Sequence, residues 1–400
     1  MRRLEEENGK KIDLLISCGD FQAMRNLDDM ETMACPPKYR QMGTFYKYYS
    51  GEKVAPYPTL FIGGNHEATN YLWELYYGGF AAPNIYFLGY AGCIQFGGIR
   101  IAGLSGIYNA RHFDMGHFEQ PPYDSSTMRS AYHVRSLEVN RLLRLSPSID
   151  IFLSHDWPTG IAKFGDVNAL LRRKAFLRSE IEDGSLGSPV SAHLLSALRP
   201  KHWFSAHLHT KFSALVHHAE GESTRFLSLD KCLPGRQFLQ VVEFPSASQC
   251  PKEFCYDPEW LGVLCETHNL LSLSRHPAPL PQPFAVKQET LSKVKSILEA
   301  RGGTRIAENF QMTAPPHFGG TRGRGRMPTM ILRNPQTLDF LNMLELPYNL
   351  SSEPVNQQQN SGSKRPRQDA PPNPEKVVVE CSKGPVMTNP EEIDLEGPDL

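Results

Sequence analysis

Four short apolar runs punctuate the chain, and each ends in residues of a ligand type. Asp13-Leu-Leu-Ile-Ser-Cys-Gly-Asp20 closes on Gly19-Asp20, and Pro58-Thr-Leu-Phe-Ile-Gly-Gly-Asn-His-Glu67 closes on Asn65, His66 and Glu67. Ile149-Asp-Ile-Phe-Leu-Ser-His-Asp-Trp157 delivers His155 and Asp156, and His202-Trp-Phe-Ser-Ala-His-Leu-His209 delivers His207 and His209. Brief runs of this composition, bounded by Pro and Gly, predict buried strands. Two glycines after Ile62 let the backbone turn sharply where the second strand stops. Ligands in open α/β sheets bind beyond the carboxyl ends of the strands. Four strand exits of this kind predict one converging polar site.

The intervening pattern fills in the architecture. Residues 1–12 are polar and charged, a helix or tether. Residues 21–57 read as a helical crossover, with one segment at 24–42 and another at 44–49. Residues 85–106 alternate as short strands and turns. Residues 107–135 have little apolar periodicity and form a long polar, aromatic and basic insertion. A helix is predicted at 134–145, and helical patterning recurs at 165–200. Strands are predicted at 211–217, 224–230 and 238–244. Alternating strands and helices followed by consecutive strands predict an α/β sandwich with an antiparallel edge. Residues 246–300 form a smaller, loop-rich unit that closes on an amphipathic segment at 285–300. A partly ordered extension at 301–350 contains a Gly-Arg run at 319–326 and an apolar island at 330–350. Residues 351–400, rich in Ser, Gln, Pro and acid, are predicted to be disordered.

Composition narrows the picture in two ways. Charged residues make up 21% and the net charge is −1, so no global electrostatic pull on nucleic acid is indicated and any basic surface is local. Eight cysteines lack Cys-x-x-Cys spacing, which predicts free thiols in a reducing compartment, with no disulfide partners. Cys250, Cys255 and Cys265 are expected to be buried thiols. No run approaches the ~18 apolar residues of a membrane span, and no membrane partner is expected.

Asp, Asn and His together suit borderline divalent ions such as Zn, Fe and Mn. Asp20 can bridge two ions, Asn65, His155 and His207 can complete one pocket, and His209 can reach a second along the same strand face. Two ions about 3.5–4 Å apart clamp the attacking and leaving oxygens of a phosphoryl displacement. His66 is placed for general-acid work, with Glu67 to orient it. Blander readings exist for each residue: Asp20 and Asn65 as turn residues, Asp156 as a helix N-cap before Pro158, His207 and His209 as a satisfied core pair. Their joint occurrence after four apolar runs favours the metal site.

Gly19-Asp20, Gly64-Asn65-His66-Glu67, His155 and His207-x-His209 resemble motifs two to five of the calcineurin-like metallophosphoesterases. Longer segments narrow the resemblance to the RNA lariat debranching enzyme family. They are Cys18-Gly-Asp-Phe-Gln22, Pro36-Pro-Lys-Tyr39, Tyr49-Ser-Gly-Glu-Lys53, Gly116-His-Phe-Glu119, Pro121-Pro-Tyr123, Tyr132-His-Val-Arg135, Leu153-Ser-His-Asp-Trp-Pro158 and Trp203-Phe-Ser-Ala-His-Leu-His209. The resemblance covers roughly 13–300. It implies a metallophosphoesterase domain at 1–245 and a family C-terminal domain at 246–300. The implied activity is hydrolysis of the 2′–5′ phosphodiester at the branch point of excised intron lariats. By carry-over Asp20 bridges the ions, Asn65, His155 and His207 hold one, His209 holds the other, and His66 protonates the departing 2′-oxygen. The cofactors implied are one or two divalent ions of Fe, Zn or Mn. The insertion at about 107–135 corresponds to the family's lariat recognition loop. Tyr108, Phe113, Phe118, Tyr123 and Tyr132 are suited to stack on bases there, and Arg111, Arg129 and Arg135 to meet phosphates. Branched RNA is the implied partner, alongside spliceosome-linked intron turnover factors. Nuclear residence, with exchange to the cytoplasm, fits the Lys364-Arg-Pro-Arg367 cluster.

One motif departs from the family pattern. The resemblance calls for a Cys-x-His at the end of a strand preceding 13–20. Before Asp20 there is no His, and the one Cys there, Cys18, belongs to the second motif. The expectation is an amino-terminally shortened form whose sheet lacks its first strand and whose second ion, at His209, is weak or absent. About five apolar side chains at ~1.5–3 kcal/mol each come to on the order of 10 kcal/mol, against a net domain stability of ~5–15 kcal/mol. A branched-RNA-binding protein with weak or no turnover is therefore the alternative. A protein phosphatase is disfavoured, because Asp20 is followed by Phe-Gln-Ala-Met-Arg25 rather than Gly-Asp-x-Val-Asp-Arg-Gly.

Overall fold

The computed structural model describes residues 1–219, 221–244, 250–319 and 323–351. Its strands are β1 (Leu15–Ser17), β2 (Thr59–Phe61), β3 (Gly79–Ala82), β4 (Ile85–Phe87), β5 (Ala91–Phe96), β6 (Ile99–Leu104), β7 (Ile151–Ser154), β8 (His202–Ser205), β9 (Phe212–His217), β10 (Ser223–Ser228) and β11 (Phe254–Tyr256). One sheet has the order β1-β2-β4-β3, and the other β11-β5-β6-β7-β8-β10-β9. In the first sheet β1, β2 and β4 are parallel and β3 is antiparallel to β4; in the second β6, β7, β8 and β10 are parallel, while the pairs β5–β6, β11–β5 and β10–β9 are antiparallel. This is the α/β sandwich that the hydrophobic pattern predicts.

Alternation along each strand feeds two layers at once. Leu60 and Tyr86 of the first sheet meet Ile94, Ile101, Ile151 and Leu153 of the second in the layer between them. Phe61 and Phe87 point the other way, onto Phe45, Tyr49 and Tyr71. Phe152 and Trp203 stack with ring centroids 4.2 Å apart on the outer face of the second sheet, in one core with Leu142 and Leu194 of the helices Ser136–Leu142 and Pro189–Leu198. Strands buried on both faces read as continuous apolar runs for this reason.

Several expectations change. The crossover at 21–57 holds only short helices, Leu27–Glu31 and Phe45–Tyr49, and a single 3₁₀ turn at Pro37–Tyr39. Pro36 and Pro37 cannot continue a helical ladder. Residues 238–244 form no strand and pair with none among the described residues; Phe238 and Phe244 line an apolar cavity of about 490 Å³ beside β1, with Leu14, Ile16, Ile99 and Phe204. β1 is the outer strand of its sheet. Residues 246–300 do not stand apart: β11 extends the second sheet, and Leu261 and Val294, from the helices Pro258–Thr267 and Gln288–Ala300, join its core. The stretch at 301–350 packs closely as well. Gln336 accepts from Phe80 N and donates to Phe80 O, and the Trp73 indole donates to Leu350 O at 3.0 Å. Cys250 is exposed rather than buried, and Cys255 and Cys265 are half-buried; all three are free thiols. No helix among the described residues is long and apolar enough to cross a membrane. The tail from 352, including Lys364-Arg-Pro-Arg367, lies outside the described residues.

Candidate metal centre

Neighbouring strands bring the four polar exits to one place. β1 pairs with β2 and β7 with β8, so Asp20, Asn65, His155 and His207 all emerge at carboxyl ends of paired parallel strands. Three of the site residues sit in left-handed backbone: Asp20 at φ 51°, His207 at φ 63° and His209 at φ 48°. Such conformations in non-glycine residues cost of order 1–3 kcal/mol each and cluster at functional sites. They also correct the strand-face argument for the last pair. β8 ends at Ser205, so left-handed turns, not strand alternation, aim His207 and His209.

The contacts select a chemistry. His155 Nδ1 lies 2.7 Å from the Cys18 carbonyl, which can only accept, so Nδ1 carries the proton. Its Nε2 lies 3.1 Å from Asn65 Oδ1 and 3.5 Å from Asp20 Oδ1. With Nε2 unprotonated, three electron-rich atoms would face one another, an arrangement that a bound cation resolves as a proton on Nε2 does. The other ring nitrogen of a metal-bound His is held in this manner by a carbonyl or carboxylate. The His207 ring stands 5.0 Å from that of His155. His66 and His209 each bury an Nδ1 with no hydrogen-bond partner. The Asn65 amide nitrogen lies 3.2 Å from His66 Nε2, and the His66 backbone N–H donates to Asp20 Oδ1 at 2.9 Å. A Cβ on Gly19 would overlap the His155 ring, and one on Gly64 the Asp20 carboxylate. Among the described residues no three His, Cys, Asp or Glu side chains stand in a ready ion-holding group. The tight set here is Asp20, His155 and the amide oxygen of Asn65, and it fits a divalent ion.

The electrostatics agree. Burial pushes His207 down to about 3, helped by the neighbouring His155. Burial and the Lys231 charge take His209 to about 4, and Lys174 adds to this. Both imidazoles are therefore neutral at pH 7, the form that binds metal. Burial alone would raise the Asp20 carboxyl, but His155, His66 and the His66 N–H bring it below its ordinary value. Burial lifts Asp156 to about 6 although the Trp157 N–H donates to it.

Glu67 does not orient His66. Its Oε1 accepts from Phe21 N at 2.8 Å and Gly64 N at 3.1 Å, and its Oε2 from Gln22 N at 2.8 Å. It ties the loop that carries Asp20 to the loop that carries Asn65. Burial and the Asp20 charge raise it to about 8, against those three N–H groups.

The insertion at 107–135 divides into two kinds of residue. Arg111 and Arg129 are exposed, and Tyr108, Phe113, Phe118 and Tyr132 are half-buried. Arg275 lies 4.6 Å from the Phe118 ring. Tyr123 and Arg135 are turned inward, contrary to the expectation that they face RNA. Arg135 donates to Glu119 at 2.6 Å and to the carbonyls of Gly116, Ser130 and His133. A buried guanidinium with these partners is a frame, not a phosphate ligand. Nor is the segment a bare loop, because Asp124 caps a helix at Ser125–Ala131 through a capping box.

Sequence reasoning missed Lys174, Lys231 and Ser105. Ser105 Oγ accepts from Gly63 N at 2.9 Å and donates to Gly89 O at 2.6 Å, fixing the turn after β2. Nothing local marks Lys174 or Ser105; Lys231 carries one signal, its place just past the exit of the strand predicted at 224–230.

Residues 1–211 match the calcineurin-like phosphoesterase family and residues 221–349 the lariat debranching enzyme C-terminal domain. The chain is 51% identical over 356 residues to the lariat debranching enzyme of Arabidopsis thaliana, covering 89% of this chain and 84% of that one. It is 50% identical to the lariat debranching enzyme of Danio rerio and 47% identical to that of Homo sapiens. Those alignments take in 86% and 82% of this chain, and the chain spans 62% of the length of each of these two relatives.

Proposed function

The chain belongs to the lariat debranching enzyme family of calcineurin-like phosphoesterases, and from that premise we propose that it hydrolyses the 2′–5′ phosphodiester at the branch point of lariat RNA. The observation that carries the proposal is the convergence of His155 Nε2, Asn65 Oδ1 and Asp20 Oδ1 at strand exits, with His66 alongside.

Members of the superfamily use divalent metals. In this reading Asp20, Asn65, His155 and His207 would hold one divalent ion, of Fe, Zn or Mn, and Asp20 and His209 would hold a second where one binds. When bound, such ions neutralise charge on the phosphoryl oxygens and lower the pKa of water. The protein groups do the rest. Cys18 O fixes the His155 tautomer, and Glu67 holds the Asp20 and Asn65 loops in register. His66 stands one hydrogen bond from Asn65, placed to give a proton to the departing 2′-oxygen. Tyr108, Phe118 and Tyr132 supply ring faces for bases, and Arg111 and Arg129 supply exposed charge. Intron turnover in the nucleus, beside spliceosome-linked factors, is part of the same proposal and rests on the Lys364-Arg-Pro-Arg367 cluster.

The test is a branched oligoribonucleotide incubated with the purified chain and Mn²⁺, Fe²⁺ or Zn²⁺. Release of a linear product bearing a 2′-hydroxyl and a 5′-phosphate is expected. Tight binding of branched RNA with no cleavage under any metal would establish the binding-protein reading instead.

A further inference from the structure

β7, β8 and β10 are adjacent and parallel, with Ser228 level with Ser205. The chain therefore leaves β10 beside the point where it leaves β8 for His207 and His209. What β10 delivers to that edge is Asp230 and Lys231. The turn is pinned: Lys231 N donates to Asp230 Oδ1 at 2.7 Å, Asp230 N to Gln237 O at 3.1 Å, and Arg236 lies 3.7 Å from the Asp230 carboxylate. A second lysine comes from a different element, its ammonium 5.8 Å from the Phe176 ring. The helix Val167–Arg173 ends at Lys174, and the Arg173 guanidinium donates at 2.8 Å to the carbonyl of Lys211, two residues past His209. Both lysines are half-buried, and both charges act on His209.

Two ammonium groups beside an imidazole pocket work against cation binding there, since like charges repel. An anion arriving with the substrate offsets that cost. The end of a helix accounts for a Lys at 174 through the helix dipole, but no helix ends at Lys231. We propose that Lys231 and Lys174 form a phosphate-binding rim on the His209 side of the site, which takes the RNA backbone phosphate next to the scissile one. This rests on the branched-RNA reading and adds a subsite to it. Lys suits the task as a flexible point charge, free of the fixed fork geometry of Arg.

The experiment is equilibrium binding of a non-cleavable branched RNA to the full chain, with a chelator present, across a salt series. Lys231→Gln and Lys174→Gln are each expected to shallow the slope of log affinity against log salt by about 0.7, the value for one phosphate contact on a single strand, and the double variant by about 1.4. Lys231→Arg should restore most of the slope. Lys295→Gln, in the helix Gln288–Ala300, should leave it unchanged. Unchanged slopes in the site variants, with the parent chain still preferring branched to linear RNA, would overturn the rim alone. No preference for branched RNA in the parent would overturn the functional reading and the rim with it.

Discussion

Two buried polar regions of this molecule treat their polar groups in opposite ways. At the strand exits, backbone strain collects at Asp20, His207 and His209, and the Nδ1 atoms of His66 and His209 are buried with no partner. In the insertion at 107–135 and the layer beneath it, nearly every charge is answered. Arg135 has Glu119 and three carbonyls, and Glu138 is shared by His117 and Tyr76, with Arg141 donating to Tyr76. The exceptions there are the Tyr123 hydroxyl, the Gln120 amide nitrogen and Glu138 Oε2, buried without a partner among the described residues. Paired burial builds a frame. Strained, unpartnered burial stores capacity for a ligand, because an orphaned polar group costs about 1–3 kcal/mol until something meets it.

This contrast sets opposite outcomes for substitutions in the two regions. The largest expected effect is at the exits. His66→Gln should lower turnover of branched RNA by about 10²–10⁴-fold, the usual contribution of a general acid, while the thermal midpoint stays within a degree or two of the parent. A steady-state assay paired with a melt decides it; a large loss of stability alongside the loss of rate would place His66 in the frame. The next effect falls in the insertion, with the signs reversed. Arg135→Met leaves Glu119 buried without its partner and should cost about 3–5 kcal/mol in denaturant unfolding. Metal content of the surviving folded fraction should match the parent. A variant with parent-like stability would mean that Arg135 is spare in the frame and available to substrate after all.

Glu67 tests the border between the two regimes. It is fully answered, like the frame, yet it lies among the candidate ligands. Glu67→Gln can present an oxygen to only one side, so its amide N–H₂ would confront a backbone N–H of Phe21, Gln22 or Gly64. A metal affinity about 10–100-fold weaker is expected, the usual effect of losing a group that orients the ligands. Titration of metal into the chelated protein measures it. Unchanged affinity would show that the Asp20 loop holds its shape unaided.

The division also explains what could be read along the chain. The four strand exits were legible because each couples a local apolar run to polar residues in the next few positions, as at 58–67. The sandwich was legible from the order of those runs. Three features were not. The left-handed turns at His207 and His209 follow from tertiary demand, since that backbone is uncommon for any non-glycine residue, although His is enriched among those that adopt it. The inward course of Arg135 depends on Glu119 and on carbonyls up to 19 residues away. The lack of a strand at 238–244 depends on having no partner, which periodicity does not report. Glu67 shows the same limit: its neighbour in sequence suggested His66, but its hydrogen bonds go to residues up to 46 positions away.

The smallest expected effect sharpens the comparison within the insertion. His133 stacks on His112 with the two Nδ1 atoms 2.7 Å apart. Burial, then the charges of His112 and Arg135, push His133 down to about 3, and burial and Arg135 also lower His112. An unfolded His titrates near 6.5. Between those values the unfolded chain binds the proton that the folded chain refuses. Folding stability contributed by neutral His133 is thus fully present above pH 6.5 and declines as pH falls toward 3. From pH 6.5 to 5.5 the loss should be about 1 kcal/mol or less, because a single proton at full effect is worth ~1.4 kcal/mol per pH unit. His133→Asn keeps a hydrogen-bonding group near the Nδ1 position for His112 and removes the titration of His133. Unfolding curves at pH 6.5 and 5.5 should then separate less than those of the parent. Equal separation in both proteins would move the acid sensitivity out of the insertion and back to the imidazoles at the strand exits.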